Sequence, residues 1–151
     1  MPAPYSGGCQ CGAVRYEITG EPTGLTVCHC TDCQRQSASA FGMSLRVPTA
    51  SVRFTKGTPK TFSFAGDSGR PKVGAFCPDC GTRLYHMLAP TAPSTTIKAG
   101  TLDNPSAFKP VVHIWTRSKQ PWVPIPDGML QYEKSAPDQA VVDKAWAERK
   151  P

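Results

Sequence analysis

The chain reads as short alternations of apolar and polar positions broken by turns. Val14, Tyr16 and Ile18 alternate with Arg15 and Glu17, the period of a strand with one buried face, and Gly20-Glu21-Pro22 then breaks it. Phe41, Met43, Leu45 and Val47 repeat the pattern up to Pro48, followed by Val52 with Phe54 and by Phe62 with Phe64. These stretches predict short antiparallel strands joined by turns, and Val111 through Trp115 predicts another strand. His86, between Tyr85 and Met87, reads as strand filling.

Two segments have helical character instead. Thr31 through Ser37 suits a single helical turn with Thr31 or Asp32 as N-cap. Near the end, Pro137 sits close to a first helical position and Asp138 in a first turn. Val141, Val142, Ala145, Trp146 and Arg149 follow at helical spacing. The expected organisation is one domain over residues 1–135 and a short helical or flexible tail over 136–151. No internal repeat at a fixed period and no low-complexity segment interrupts it.

Composition sharpens this to a mainly β fold with a thin core. Ten Val, four Ile, six Leu and six Phe among 151 residues are about 17%, under the roughly 20% at which chains struggle to build a core. Yet three Trp, four Tyr and a net charge of only +6 do not describe a disordered chain. Thirteen Gly and sixteen Pro leave little room for long helices. A domain so short of apolar area is usually supplemented by disulfides or a structural metal, and the seven cysteines are the obvious staples.

Charge and targeting exclude several classes. Lys and Arg number 17 against 11 Asp and Glu, which favours anionic partners, but the basic residues are scattered and form no nucleic-acid arm. Met1 through Gly8 contains no basic stretch followed by an apolar run, so no signal peptide is expected, and no apolar run is long enough to span a membrane. The expected compartment is the cytoplasm, where thiols stay reduced. Oligomeric state leaves no mark on the sequence.

The cysteines fall into Cys9-x-Cys11, Cys28-x-Cys30-x-x-Cys33 and Cys77-x-x-Cys80. One or two intervening residues let a tight turn present two sulfurs to one ion about 2.3 Å away. Gly12 and Gly81 directly follow two of these pairs, and their freedom at positive φ would let the backbone fold under a metal and aim amides at the sulfurs. Disulfides sit badly with an odd count. A Cys30–Cys33 redox pair would want a βαβ setting that the pattern does not offer. If the cysteines bind metal, seven divides as four plus three, since closed structural zinc sites take four ligands and open ones three. The Cys9/Cys11 and Cys77/Cys80 turns could clamp distant segments, leaving Cys28, Cys30 and Cys33 for a second ion. A rival division groups Cys30/Cys33 with Cys77/Cys80.

Gly8-Cys9-Gln10-Cys11-Gly12-Ala13-Val14-Arg15-Tyr16, Cys28-His29-Cys30-Thr31-Asp32-Cys33-Gln34-Arg35, Phe76-Cys77-Pro78-Asp79-Cys80-Gly81 and His113-Ile114-Trp115 together resemble the glutathione-dependent formaldehyde-activating (GFA) family, in order, over about residues 7–132. The resemblance implies an Mss4-like fold of small antiparallel sheets stapled by zinc. It implies a closed structural zinc at Cys9, Cys11, Cys77 and Cys80. A second, open and labile zinc would sit at Cys28, Cys30 and Cys33, for two per chain. It further implies a zinc-dependent carbon–sulfur lyase-type reaction joining glutathione or a similar small thiol to an aldehyde. The same resemblance extends to a eukaryotic centromere protein, so a structural interaction module is an alternative, as is a thiol carrier that does not catalyse.

Around an open zinc, the roles divide by chemistry. Arg35 could clasp a glutathione carboxylate or lie exposed, and Asp32 or Gln34 could orient a bound water or merely cap the loop. Alternation points His29 away from the metal. His113 could be a general acid–base or substrate-binding residue, or a hydrogen-bonded structural histidine. Trp115, Trp122 and the Pro121–Pro124 stretch could wall a pocket or pack in the core, and Lys98 and Lys119 read as solvated lysines.

Overall fold

Tyr16 and Ile18, apolar positions of the first alternating stretch, are buried, while Arg15 and Glu17 beside them are only partly covered. A computed structural model of the chain describes residues 2–66 and 69–150; Met1, Asp67, Ser68 and Pro151 lie outside the described residues, and with them the first residue of the expected domain and the last of the expected tail. The elements are β1 (Tyr5–Gly8), β2 (Arg15–Ile18), β3 (Gly24–Cys28), α1 (Thr31–Ser37), β4 (Gly42–Pro48), β5 (Val52–Lys56) and β6 (Lys60–Ala65). There follow β7 (Pro71–Phe76), β8 (Arg83–Met87), β9 (Ser94–Lys98), β10 (Val112–Ile114), β11 (Leu130–Gln131) and α2 (Gln139–Ala147).

The strands form two sheets. One is antiparallel in the order β1-β2-β5, and the other runs β11-β10-β3-β4-β9-β8-β7-β6. The fold is therefore mainly β with a short C-terminal helix, as expected, although the larger sheet is not wholly antiparallel. β10 pairs parallel with both β3 and β11. A parallel neighbour needs a long crossover, and local alternation does not reveal that distant pairing.

The core lies between the sheets. Tyr16 and Ile18 of the small sheet meet Leu25, Leu45, Val47 and Ile97 of the large one, all at 1% exposure or less. Each such aliphatic side chain contributes about 1.5–3 kcal/mol when fully buried. Cys9 and Cys77 belong to the same cluster, so the staples are built into the core that they supplement. Strand alternation turns the other face of the large sheet, with Thr26, Ser44, Arg46, Thr96 and Lys98, away from this core.

Both helices start at caps that correct the sequence expectation by one position. α1 is capped by Cys30, not Thr31 or Asp32, and its sulfur accepts from the Cys33 amide at 3.3 Å. A thiol sulfur does here what a serine hydroxyl usually does. α2 is capped by Asp138, which lies outside the first turn and accepts from the Ala140 amide at 2.9 Å. Val142 and Trp146 form the buried face of α2, and Trp146 Nε1 donates to the Pro22 carbonyl at 2.9 Å.

Candidate metal centres and an adjoining cleft

The β1–β2 and β7–β8 connections bring Cys9, Cys11, Cys77 and Cys80 together, with all four sulfurs within 4.8 Å of one another. Cys9 and Cys11 Sγ are 3.6 Å apart, and Cys11 and Cys77 Sγ 3.8 Å. The two turns are built alike. Gly12 (φ +77°) donates to the Cys9 carbonyl at 3.2 Å, and Gly81 (φ +78°) to the Cys77 carbonyl at 2.9 Å. The left-handed φ explains glycine at both positions. Around the sulfurs, the Val14 amide donates to Cys9 Sγ at 3.2 Å, and the Thr82 hydroxyl lies 3.2 Å from Cys80 Sγ, holding that thiol down to about 5. All seven cysteines are free thiols. Four convergent thiols with amides aimed at their sulfurs fit a closed metal site of the zinc type.

A second trio stands apart. Cys28 ends β3, Cys30 caps α1 and Cys33 lies in its first turn, and their sulfurs also lie within 4.8 Å of one another. Cys30 and Cys33 thus group with Cys28 and not with Cys77 and Cys80, against the rival division. Gly42 leaves the space that this loop uses, since a Cβ there would meet Cys33 Cβ at 3.3 Å. Hydrogen bonds first from the Cys28 thiol and then from Cys33 hold the Cys30 thiol down to about 2, and the same sharing pushes the Cys28 thiol up. Without a metal the loop thus favours one thiolate, at Cys30, with Cys28 and Cys33 held as thiols, and an ion binding all three would displace their protons.

The loop carrying these cysteines is pinned from behind. His29 is fully buried with its ring directed to His113, and Nε2 of His29 shares a 2.8 Å hydrogen bond with Nδ1 of His113. The Gln34 side chain donates to the His29 and Ser118 carbonyls at 2.8 and 2.9 Å, and Ser118 Oγ donates to the His29 carbonyl at 2.8 Å. Gln34 is therefore committed to the scaffold. His29 does not join the sulfurs, and His113 sits in a buried hydrogen bond behind the loop.

In front of the trio opens a cleft of about 270 Å³, lined by all three cysteines, Asp32, His86, Lys72, Arg46 and Trp115 among others. His86 occupies β8, as strand filling would have it, but its side chain faces this cleft. Trp115 is held at φ +57°, a conformation rare for a bulky residue, where the chain leaves β10, and Arg117 lies over its ring at 4.9 Å. Trp122, by contrast, is 73% exposed and lines a separate shallow depression with Arg35. Helical spacing explains the split, since Asp32, Cys33 and Gln36 share the cleft side of α1 while Thr31, Gln34, Arg35 and Ala38 face the other way.

Two lysines need correction. Lys98 is not a solvated lysine: burial pulls its pKa below the ordinary lysine range while the nearby Cys33 thiol opposes that fall, and its Nζ donates to His86 Nδ1 at 3.0 Å. Lys119 donates to the Val123 and Gln120 carbonyls at 2.7 and 3.1 Å, holding the turn that carries Trp122. Arg83 joins Lys98 near the trio. Its guanidinium stacks over Phe62 at 4.7 Å, and its Nε and one Nη are buried without a hydrogen-bond partner. Register on the large sheet is the signal that would place these cations, and a single sequence does not supply it.

Comparison with known proteins bears on the fold and on the family. The chain superimposes on the crystal structure of a Rhodobacter sphaeroides protein, a Northeast Structural Genomics target, with a TM-score of 0.50 at 20% identity, over 70% of this chain and 91% of that one. At that identity the likeness concerns the fold. The sequence pattern of a family described as glutathione-dependent formaldehyde-activating enzyme matches residues 4–118, a span that contains both cysteine clusters. The chain belongs to the glutathione-dependent formaldehyde-activating family.

Proposed function

We propose that Cys9, Cys11, Cys77 and Cys80 hold a structural zinc, and that Cys28, Cys30 and Cys33 hold a second, more labile zinc at which a small thiol such as glutathione is joined to formaldehyde. The observation that carries this reading is the difference in ligand number and setting: four sulfurs from two turns converge at the edge of the core, with Cys9 and Cys77 inside it, whereas a trio from one loop opens onto a cleft. Zinc bound by three thiolates supplies an open coordination position that can polarise an oxygen or lower the pKa of a thiol.

The remaining work falls to the chain. Lys98 and Arg83 place positive charge beside the trio, offsetting the negative charge that three thiolates concentrate there. The His29–His113 pair and Gln34 fix the loop, so the sulfurs keep their arrangement as substrate enters. Trp115 and Asp32 border the space where thiol and aldehyde meet. In the overall reaction the thiol sulfur bonds to the aldehyde carbon, and the thiol proton ends on the aldehyde oxygen, giving the S-hydroxymethyl thiol. This is chemistry of the carbon–sulfur lyase class.

The accompanying organisation is a zinc-binding domain over residues 1–135 with a helical tail over 136–151, acting in the cytoplasm. None of the helices among the described residues is long and apolar enough to cross a membrane. Adduct formation between glutathione and formaldehyde, followed by NMR with and without protein, tests the function. A catalyst raises the rate at catalytic concentration, and Cys33→Ser abolishes the increase. A rise in bound adduct in proportion to protein, without a faster rate, would mean a carrier and overturn the enzymatic reading.

A further inference from the structure

The register of the large sheet collects unpaired cations on the same face as Cys28. Thr26, two residues before Cys28 and so on the same face, pairs with Ser44, which pairs with Lys98. His86 pairs with Thr96, two residues before Lys98, and Gly74 pairs with His86, which puts Lys72 on that face as well. Arg83 reaches the same face, because a Cβ built on Gly74 would lie 2.8 Å from its Nη2. Lys72, Arg83 and Lys98 therefore stand on one face of the sheet, with Lys98 and Arg83 near Cys33 and Lys72 farther along the cleft that the trio also lines.

None of the three takes part in an ion pair among the described residues, whereas Arg15, Arg46 and Arg53 are each matched with a carboxylate. Among the described residues, the carboxylate lining the cleft is that of Asp32 on α1, and Arg46, which also lines it, is already matched with Asp143. Even with Asp32 ionised and a zinc ion held by three thiolates, this face keeps a surplus of positive charge. Two guanidinium nitrogens of Arg83 are buried without a partner. Among the described residues no carboxylate pairs with this guanidinium, so its charge acts on the cleft from behind the lining.

We infer that Lys72, Arg83 and Lys98 form a carboxylate-recognition wall that selects thiols bearing carboxylates over neutral or cationic ones. This rests on the reading of the cysteine trio as the reaction site, and it assigns specificity to residues outside the trio. Lys72 lines the cleft directly and meets the carboxylate, while Lys98 and Arg83 supply field from behind it.

The test separates recognition from chemistry by blocking the thiol. Binding of S-methylglutathione and of its diethyl ester to the full-length, zinc-loaded protein is measured by calorimetry. The acid is expected to bind at least about tenfold more tightly than the ester, with affinity falling as salt rises. Lys72→Gln is expected to lose that preference, and Lys72→Arg to keep most of it. Equal binding of acid and ester, a preference unchanged in Lys72→Gln, or no binding of either would overturn the inference. Selective binding without adduct formation would instead leave the wall intact and overturn the proposed reaction.

Discussion

Lys98 Nζ lies 3.0 Å from His86 Nδ1 at the back of the cleft. An ammonium can only donate, so Nδ1 accepts and the neutral ring carries its proton on Nε2. Burial, with Lys98, Lys72 and Arg83 adding repulsion and Cys30 opposing it, holds the imidazole down to about 3. The folded protein therefore resists protonating a group that an unfolded chain protonates near 6.5. Stability from this site is complete above 6.5 and is lost as pH falls from there towards 3. Denaturation midpoints measured from about pH 8 down to about pH 4 should separate wild type from His86→Asn, with the variant losing less of its own stability on acidification. Parallel curves would contradict the lowered titration of His86 and its cause.

The two knuckles make a backbone prediction. A methyl group added to Gly12 or Gly81 would find nothing within 4 Å, so alanine meets no clash at either site, and only the left-handed φ is costly. Gly12→Ala and Gly81→Ala should each lower stability by about 1–2 kcal/mol in denaturant titrations, with zinc retained. A loss much larger than this, or none, would mean that the turns are not held as described.

The C-terminal helix makes a packing prediction. Trp146 is 6% exposed, packs 6.0 Å from the Phe108 ring centroid and donates to the Pro22 carbonyl. Trp146→Ala should cost about 3–5 kcal/mol in thermal or chemical unfolding. The Trp146 side chain anchors the helix to Pro22 and Phe108, not to a cysteine, so the metal content of the folded variant should be unchanged. Zinc lost together with the helix contact would contradict this separation.

How far the sequence carries depends on which interactions each feature needs. Tyr16, Ile18, Leu45 and Val47 announce their strands because alternation is local and their faces are buried. β1, Tyr-Ser-Gly-Gly, and β9, Ser-Thr-Thr-Ile-Lys, carry little apolar signal, and tertiary pairing makes them strands. The cysteine spacing exposes both clusters, because metal-ligand turns are compact in sequence. Lys72, Arg83 and Lys98 are invisible as a group, since they meet only through the register of β7, β8 and β9. Lys98 illustrates the point: nothing in Thr-Ile-Lys-Ala distinguishes a lysine folded over thiols from one in water.

The division of labour between the two clusters is the central claim, and metal content tests it most directly. Cys77 is fully buried within the core cluster, whereas Cys33 faces the cleft. Zinc per chain should be measured by elemental analysis on protein purified without oxygen, because exposed clustered thiolates oxidise readily. Wild type should hold two ions, Cys33→Ser one ion in a folded chain, and Cys77→Ser should fail to fold stably. Two ions retained in Cys33→Ser, or unfolding of that variant while Cys77→Ser stays folded, would contradict the account.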